Sequence, residues 1–477
     1  MIARGGHAGE ILRQIRSLLA LVFVSLLVLA PKARASATLL LEEPYGKLGF
    51  FTATGHAAVY LSGVCADSPL HLRACAQGET GIVLSRYNGV GGYDWIAVPL
   101  IPYLYAVDKA EDVPLFADAK MVAFLRDRYR REHLESVAPD LIDGGMPGGN
   151  WYELVGSSYD RTIYGYEIET SPERDAALIR KYNSSPNRSH FRTVSRNCAD
   201  FAKDVINFYY PRSLHRSIVA DVGITTPKQM AKNIVRLSEK HRDLHSESII
   251  IPQVPGTAAR SSHVHGVVES FFKSKKYIVP SAIVSPIFAG CVVAVYFGSS
   301  SGHFDPAKDA LVYFPGRGSD ERLGQEDRRA YEKELSHLIA NEKESGATTH
   351  VKKAWERVQS NADLDFDQNG HPLLRVQVGD QDVDMGISAS NVLSSSAPPL
   401  WKQQLLEARL QMELREKAPH AVSGDEITRD WILLKQVMQQ GGEEIAQTGV
   451  SQIGARQIEA ASRTRLSRVE RNGGNAP

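Results

Sequence analysis

Cys198 stands directly after Asn197, at the point where the sequence takes up helical spacing. The apolar residues that follow at this spacing, before Pro211, are Phe201, Ala202, Val205, Ile206 and Tyr209. Asparagine is a favoured N-cap residue, so Cys198 is predicted to lie in the first turn of a helix. The partial positive charge of a helix N-terminus favours thiolate over thiol, and we expect a lowered pKa for Cys198. This pattern predicts a nucleophile, although a free cysteine on an apolar helix face also suits a buried structural role.

His56 is the candidate base for a nucleophilic cysteine. It lies in the segment Gly-His-Ala-Ala-Val-Tyr-Leu, residues 55–61, whose residue types indicate a strand. In acyl transfer the thiolate attacks a carbonyl carbon, the imidazole takes and returns the proton, and backbone N–H groups hold the oxyanion. The amide of Cys198 at a helix start is the predicted oxyanion donor. These two residues together predict a site for acyl transfer.

A third polar group must hold the other ring nitrogen of His56 and so fix its tautomer. If the histidine strand pairs back on residues 81–88, His56 lies near Asn88, which is the first candidate for this role. Ser85 is the second candidate. His71 also has the chemistry of a base, but its place in the following loop favours a solvated surface position.

Two motifs resemble those of a known superfamily. Gly-His-Ala-Ala-Val-Tyr-Leu at 55–61, followed far downstream by Asn-Cys-Ala-Asp-Phe at 197–201, resembles the circularly permuted papain-like hydrolases, which include permuted NlpC-type peptidases and the lecithin:retinol acyltransferase group. In ordinary papain-like enzymes the cysteine precedes the histidine, whereas here the histidine comes first. The resemblance covers roughly residues 50–210. It implies Cys198 as nucleophile, His56 as base and antiparallel strands packed on a cysteine-bearing helix.

The order of the predicted elements indicates an α+β fold. The histidine strand is followed by a helix that begins after Ser171, with Pro172 at its first position and acidic residues in its first turn. Phe191, Thr193 and Val194 then favour a short strand that ends close to the cysteine helix. We place the catalytic domain at residues 38–245.

Composition limits the classes of partner. The 477 residues carry 55 lysines and arginines and 55 aspartates and glutamates, so no overall positive field points to nucleic acid. Neither a phosphate-binding loop nor a zinc-ligand spacing is present, and the sequence predicts no cofactor or metal.

Residues 1–37 have the pattern of a secretory signal. Arginines precede an apolar run at 18–30, and the small residues of Ala33-Arg34-Ala35 and Ala35-Ser36-Ala37 offer two cleavage sites. The run is shorter than the roughly 20 residues that span a bilayer, which favours cleavage over an uncleaved anchor. The sequence therefore predicts export to the periplasm or cell envelope.

Predicted export bears on the four cysteines, because disulfides form in oxidising compartments. Cys65 and Cys75 flank a nine-residue loop after the histidine strand, and in an oxidising compartment we expect a disulfide between them. Two unpaired buried thiols are the alternative. Cys198 then stays free, and Cys291 in its apolar run suits a packing role.

The C-terminal half divides into a linker at 246–319 and a charged, mainly helical region at 320–477. Within the linker, residues 277–298 carry no formal charge and are long enough to span or contact a membrane, although Pro280 and Pro286 favour a buried core instead. The segment 363–370 resembles the opening of a calcium loop, but Asn369-Gly370 indicates a hairpin turn.

The sequence thus predicts a cell-envelope thiol hydrolase that cleaves a peptide or isopeptide amide. A lipid acyltransferase or lipid-ester hydrolase at the membrane is the first alternative. The second is an envelope module that keeps the fold without catalysis.

Overall fold

A computed structural model describes residues 35–45, 54–114, 117, 119–188, 190–241, 246–254, 261–298, 304–307, 310–313, 362–378 and 381–386. The predicted signal segment up to residue 34 and the charged segments at 320–361 and 387–477 lie outside the described residues.

The described strands are β1 (Ser36–Glu42), β2 (His56–Leu61), β3 (Val64–Ser68), β4 (His71–Ala74), β5 (Ile82–Ser85), β6 (Ile96–Pro99), β7 (Ile163–Glu169), β8 (Ser246–Ile251), β9 (Leu311–Val312), β10 (Ala362–Phe366), β11 (Pro372–Val378) and β12 (Gln381–Gly386). The α-helices are α1 (Leu100–Tyr105), α2 (Ala119–His133), α3 (Ser157–Asp160), α4 (Pro172–Ser184), α5 (Cys198–Tyr209), α6 (Pro227–Lys240), α7 (Val267–Lys273), α8 (Lys275–Val284) and α9 (Pro286–Gly298). Two 3₁₀ turns cover Ala110–Asp112 and Trp151–Glu153.

Seven strands form the main sheet in the order β6-β5-β2-β1-β7-β8-β9. Every neighbouring pair is antiparallel except β8 and β9. The arrangement of this sheet with several helices confirms the α+β class. β8 and β9 come from the predicted linker, so the predicted domain boundary at residue 245 cuts the sheet.

Alternation along the strands gives the sheet two apolar faces. One face packs against α1 and the segment around α3; its buried residues include Leu40, Ala58, Val83, Leu104 and Tyr159. The other face packs against the cysteine-bearing helix α5; its buried residues include Leu41, Ala57, Val59, Phe201 and Ile206. The site residues are thus carried by a strand and a helix that share one core.

β1 lies in the middle of the sheet, between β2 and β7. Its second residue, Ala37, is fully buried and pairs with Leu61 and Ile168. Cleavage of a signal after Ala35 would leave this strand whole, whereas cleavage after Ala37 would remove its first two residues. The buried strand therefore favours the first of the two cleavage sites.

The strand predicted just before the cysteine helix is wrong. Residues 191–196 form a turn with one isolated bridge between Arg192 and Arg196. The side chains of Arg192, Thr193 and Val194 are exposed, and among the described residues no strand packs on them. Strand-favouring residue types express a fit to a half-buried pleated surface, and this segment lacks that surface.

The C-terminal hairpin is described in part. β10, β11 and β12 form a three-stranded antiparallel sheet, and Asn369 and Gly370 lie in the turn between β10 and β11. Gly370 has a φ of +80°, a conformation that favours glycine, and Asp367 accepts the amides of Asn369 and His371. The segment is therefore a hairpin, in which Phe366 stacks on Phe124 of α2.

The disulfide predicted between Cys65 and Cys75 is confirmed, with its Cα atoms 4.8 Å apart. It closes the end of the β3–β4 hairpin that follows the histidine strand. Closing a loop of this size lowers the conformational entropy of the unfolded chain, which stabilises the folded state by about 3 kcal/mol.

Replacing both Cys65 and Cys75 by serine should therefore lower the free energy of unfolding by about 3 kcal/mol. Urea denaturation followed by circular dichroism measures this change. The matched control is Cys291→Ser at an exposed free cysteine, which should shift stability by less than about 0.5 kcal/mol. Equal losses in the two variants would contradict a stabilising disulfide.

Candidate active site

The start of α5 is fixed by a capping box. Asn197 accepts a hydrogen bond from the amide of Asp200 at 2.9 Å, and the Asp200 carboxylate accepts the amide of Asn197 at 3.3 Å. Arg86 donates to the carbonyl of Asn197 at 3.2 Å and forms a salt bridge with Asp94. Cys198 is thus the first helical residue, as the N-cap pattern predicts, and its position is tied to the end of β5.

His56 opens β2 directly after a left-handed residue. Gly55 has a φ of +72°, and a Cβ at this position would lie 2.1 Å from the carbonyl oxygen of Glu42. Glycine is therefore required for the chain to turn into β2 beside β1. His56 then pairs with Glu42 in the β1–β2 register, and its ring stacks on Tyr87 with centroids 4.3 Å apart. The imidazole is buried, with one ring face against Tyr87.

The thiol of Cys198 meets β2 at the residue next to His56. The backbone N–H of Ala57 donates to Cys198 Sγ, and the N–H of Ala199 donates to it as well. Strand alternation directs the Ala57 side chain toward α5 and the His56 side chain toward the face of Glu42 and Tyr87. The sulfur and the imidazole therefore flank the same peptide unit. Cys198 and His56 are thus neighbours along β2, with their side chains on opposite faces of that strand.

The thiol and the imidazole are both neutral in this arrangement. Burial raises the pKa of Cys198 to about 11, although the amides of Ala57 and Ala199 act in the opposite direction. Burial, together with the charge of Arg161, lowers the pKa of His56 well below its ordinary value. The lowered thiol pKa expected from the helix N-terminus is thus not found. Loss of hydration outweighs the helix dipole and the two hydrogen bonds.

A buried ionic network next to His56 was not anticipated from the sequence. Arg161 is buried and forms salt bridges with Glu42 at 3.3 Å and with Glu153 at 3.0 Å. The hydroxyl of Tyr103 donates to Glu42 and shares a hydrogen bond of 3.1 Å with Tyr87. Burial raises the pKa of Glu42 despite the opposing effect of Arg161. These residues come from distant parts of the chain and form no local motif.

The third group predicted for the site lies one residue beyond the stacked Tyr87. Asn88 is exposed, and its backbone carbonyl accepts a hydrogen bond from the amide of Asn150. Ser85, the second candidate, is fully buried in β5. His71 is exposed beside Asp67, in agreement with a surface position. Tyr87, two residues beyond the end of β5, is the side chain that contacts the His56 ring, and the available signal was the pairing of β2 with β5.

Two clusters of metal-ligating types occur among the described residues. One contains Cys65 and Cys75, which are joined by the disulfide; the other consists of the exposed residues Asp108, Glu132 and His133. Neither cluster contains Cys198 or His56.

The raised pKa gives a direct prediction for thiol reactivity. A pKa of about 11, against about 8.5 for an ordinary cysteine, reduces the thiolate fraction at pH 7 by at least roughly 100-fold. Iodoacetamide should therefore modify Cys198 slowly at neutral pH in the native protein, and the rate should rise steeply above pH 9. Peptide mass mapping over a pH series measures the rate, with the exposed Cys291 as internal control. Rapid modification of Cys198 at pH 6 would instead establish a thiolate.

Comparison with known proteins supplies no relative for this site. No protein-family model, no curated protein and no solved structure matches the chain.

Proposed function

We propose that this protein is an exported thiol hydrolase with a permuted papain-like catalytic domain, which cleaves a peptide or isopeptide amide through Cys198 and His56. The observation that carries the proposal is the hydrogen bond from the amide of Ala57, next to His56, to the sulfur of Cys198 at a capped helix start. The histidine-first order agrees with the permuted superfamily.

The reaction begins from a neutral thiol and a neutral imidazole. His56 accepts the proton from Cys198 as the sulfur attacks the carbonyl carbon, which gives an oxyanion. Collapse of this intermediate breaks the C–N bond, and the protonated imidazole returns its proton to the leaving amine. Water then hydrolyses the thioester, again with His56 as the base, and the thiol is restored.

The network around Glu42 and Arg161 suits a supporting role in this chemistry. His56 stacks on Tyr87, whose hydroxyl is bonded to Tyr103 and through it to Glu42. Rings held by such packing and hydrogen bonds keep the imidazole in one orientation when substrate binds. Asn88 stays the predicted partner of the imidazole in this proposal.

A non-catalytic module is the second candidate, because one observation favours it. His56 Nε2 is buried with no hydrogen-bond partner among the described residues, and the pKa shifts of His56 and Cys198 both oppose an ion pair. A neutral thiol and a neutral imidazole also suit a fold retained for binding alone. Covalent trapping separates the two candidates.

The trapping experiment uses p-nitrophenyl acetate, whose acetyl group a catalytic thiol accepts as a thioester. Intact mass and peptide mapping should show one acetyl group on Cys198, removable by neutral hydroxylamine, in the wild type and in Cys291→Ser. His56→Phe, which keeps an aromatic ring against Tyr87, should lose the modification. Release of amines from a cell-wall peptide, as against fatty acid from a phospholipid, then decides between amide and lipid-ester substrates. A Cys198 that stays unmodified in every arm would leave only the module.

A further inference from the structure

The helices α8 and α9 present an unusually apolar exposed surface. All seven residues from 282 to 288, which join the two helices, are exposed, and Ser285 is the one polar residue among them. Ile283 is 77% exposed, Val284 85% and Ile287 82%. Runs of consecutive exposed apolar residues on a protein surface have a functional reason as a rule. We call residues 282–288 the hairpin tip.

Apart from Lys275, Lys276 and Ser281 of α8, the two helices carry apolar residues on every side. α8 has no buried residue, and α9 buries only Ala289 and Val292. A helix that packs on a protein core shows a polar outer face, and these helices lack one. The described part of the chain therefore leaves most of the apolar surface of these two helices uncovered.

The hairpin is nevertheless attached firmly at its base. Phe271 of α7 stacks on Tyr277 of α8, and Phe272 stacks on Tyr296 of α9 with ring centroids 4.3 Å apart. α7 itself is anchored by the buried salt bridge between Glu269 and Lys228 of α6. The tip is thus presented on a packed support.

Positively charged side chains lie at the start of α8, at the end opposite the hairpin tip. Lys275 and Lys276 are exposed at the first two positions of α8, and Lys273 precedes them in salt-bridge contact with Glu269. No acidic residue occurs between Lys275 and Gly298. A positive cluster next to a purely apolar tip complements an anionic lipid surface, where headgroup charge lies above hydrocarbon.

The length of the helices distinguishes insertion into one leaflet from crossing of the whole bilayer. No helix in the described residues is both long enough and apolar enough to cross a membrane. At 1.5 Å per residue the ten residues of α8 extend about 15 Å, half of the roughly 30 Å hydrocarbon core of a bilayer. Lysines at the headgroups would thus place the tip within one leaflet. The break between α8 and α9 is set by Pro286, since proline cannot donate the helical hydrogen bond.

We propose that the α8–α9 hairpin docks this protein on an anionic lipid bilayer, with the hairpin tip inserted in one leaflet and Lys275 and Lys276 at the headgroups. The proposal is independent of the catalytic assignment. Docking would hold the cysteine site close to the membrane whatever its substrate.

Cys291 offers a reporter within the hairpin, because it is exposed on α9 and is one of two free cysteines. In a Cys198→Ala background of the full chain, bimane is attached to Cys291. Vesicles of phosphatidylcholine, with and without phosphatidylglycerol, carry lipids with a quencher in the acyl chain. We expect quenching of bimane by the acyl-chain quencher, stronger on anionic vesicles. This depth measurement is decisive because the N-terminal apolar run at 18–30 can itself hold the chain on vesicles.

Variants test the two parts of the surface separately. Ile283→Asp with Ile287→Asp should reduce the quenching at least about tenfold, since aspartate is costly in hydrocarbon. Ile142→Asp, at an exposed isoleucine outside the hairpin, is the matched control and should change nothing. Lys275→Gln with Lys276→Gln should weaken binding to anionic vesicles by about fivefold per lysine and leave binding to phosphatidylcholine unchanged.

Two results would overturn the proposal. One is bimane that stays accessible to aqueous iodide on every vesicle while the chain is bound. The other is self-association in sedimentation velocity that the double aspartate variant abolishes, which would assign the hairpin tip to an interface between two copies.

Discussion

Replacing Arg161 by methionine should lower the free energy of unfolding by about 3–5 kcal/mol. Arg161 is buried between Glu42 and Glu153, at 3.3 and 3.0 Å. Methionine fills a similar volume but leaves a buried carboxylate next to His56 without its cation. An uncompensated buried charge either persists at high cost or takes up a proton, and both outcomes favour the unfolded state. Urea denaturation at pH 7 measures the change.

The matched control for this prediction is Arg131→Met. Arg131 pairs with Asp127 at 2.9 Å but is 59% exposed, so its loss should cost less than about 1 kcal/mol. A second arm adds Glu42→Gln to Arg161→Met. Removing the orphaned charge should recover part of the loss, since the two residues interact directly. Equal effects at Arg161 and Arg131 would show that the buried network does not hold this part of the sheet.

Cys198→Ser should reduce kcat/KM for the proposed amide hydrolysis by roughly 1,000-fold or more. The serine hydroxyl is a far weaker nucleophile than the thiolate, and a buried imidazole with a lowered pKa is a weak base for it. His56→Phe should reduce kcat/KM by roughly 100-fold to 10,000-fold, because phenylalanine keeps the stack on Tyr87 but accepts no proton. Steady-state kinetics of amine release from the cell-wall peptide measure both changes.

The control for the kinetic variants is Cys291→Ser, which should keep full kcat/KM. Circular dichroism and unfolding midpoints should show that Cys198→Ser folds like the wild type, since the substitution preserves the side-chain shape. Hydrolysis that survives in Cys198→Ser at near wild-type rate would place the nucleophile elsewhere. Full activity in His56→Phe would remove the histidine from the mechanism and leave the thiol without an assigned base.

The sequence by itself determined the elements whose signals are local. Asn197 before an apolar helical run specified the N-cap of α5, and Ser171 followed by Pro172 specified the start of α4. The close spacing of Cys65 and Cys75 in a predicted exported chain specified their disulfide. Caps, turns and short loops are decided by a few neighbouring residues, so their residue types are sufficient for prediction.

Strands were predicted less accurately, because a strand forms only where a neighbouring strand or surface is present. Phe191, Thr193 and Val194 suggested a strand by type, but they lie in or next to a turn, and no strand of the described residues covers them. Conversely, β8 joined the sheet from a segment that the sequence predicted as a linker. Strand pairing joins distant parts of the chain, and one sequence does not show which edge is free to accept a strand.

The tertiary structure alone decided the electrostatics of the candidate site. The sequence favoured a low pKa for Cys198 from the helix start, whereas burial raises that pKa to about 11. The enclosure of Arg161 with Glu42 beside His56 was equally invisible, because these residues are far apart in the chain. Dipoles and caps are local and follow from residue order. Desolvation depends on every element packed around a group, and only the assembled fold determines it.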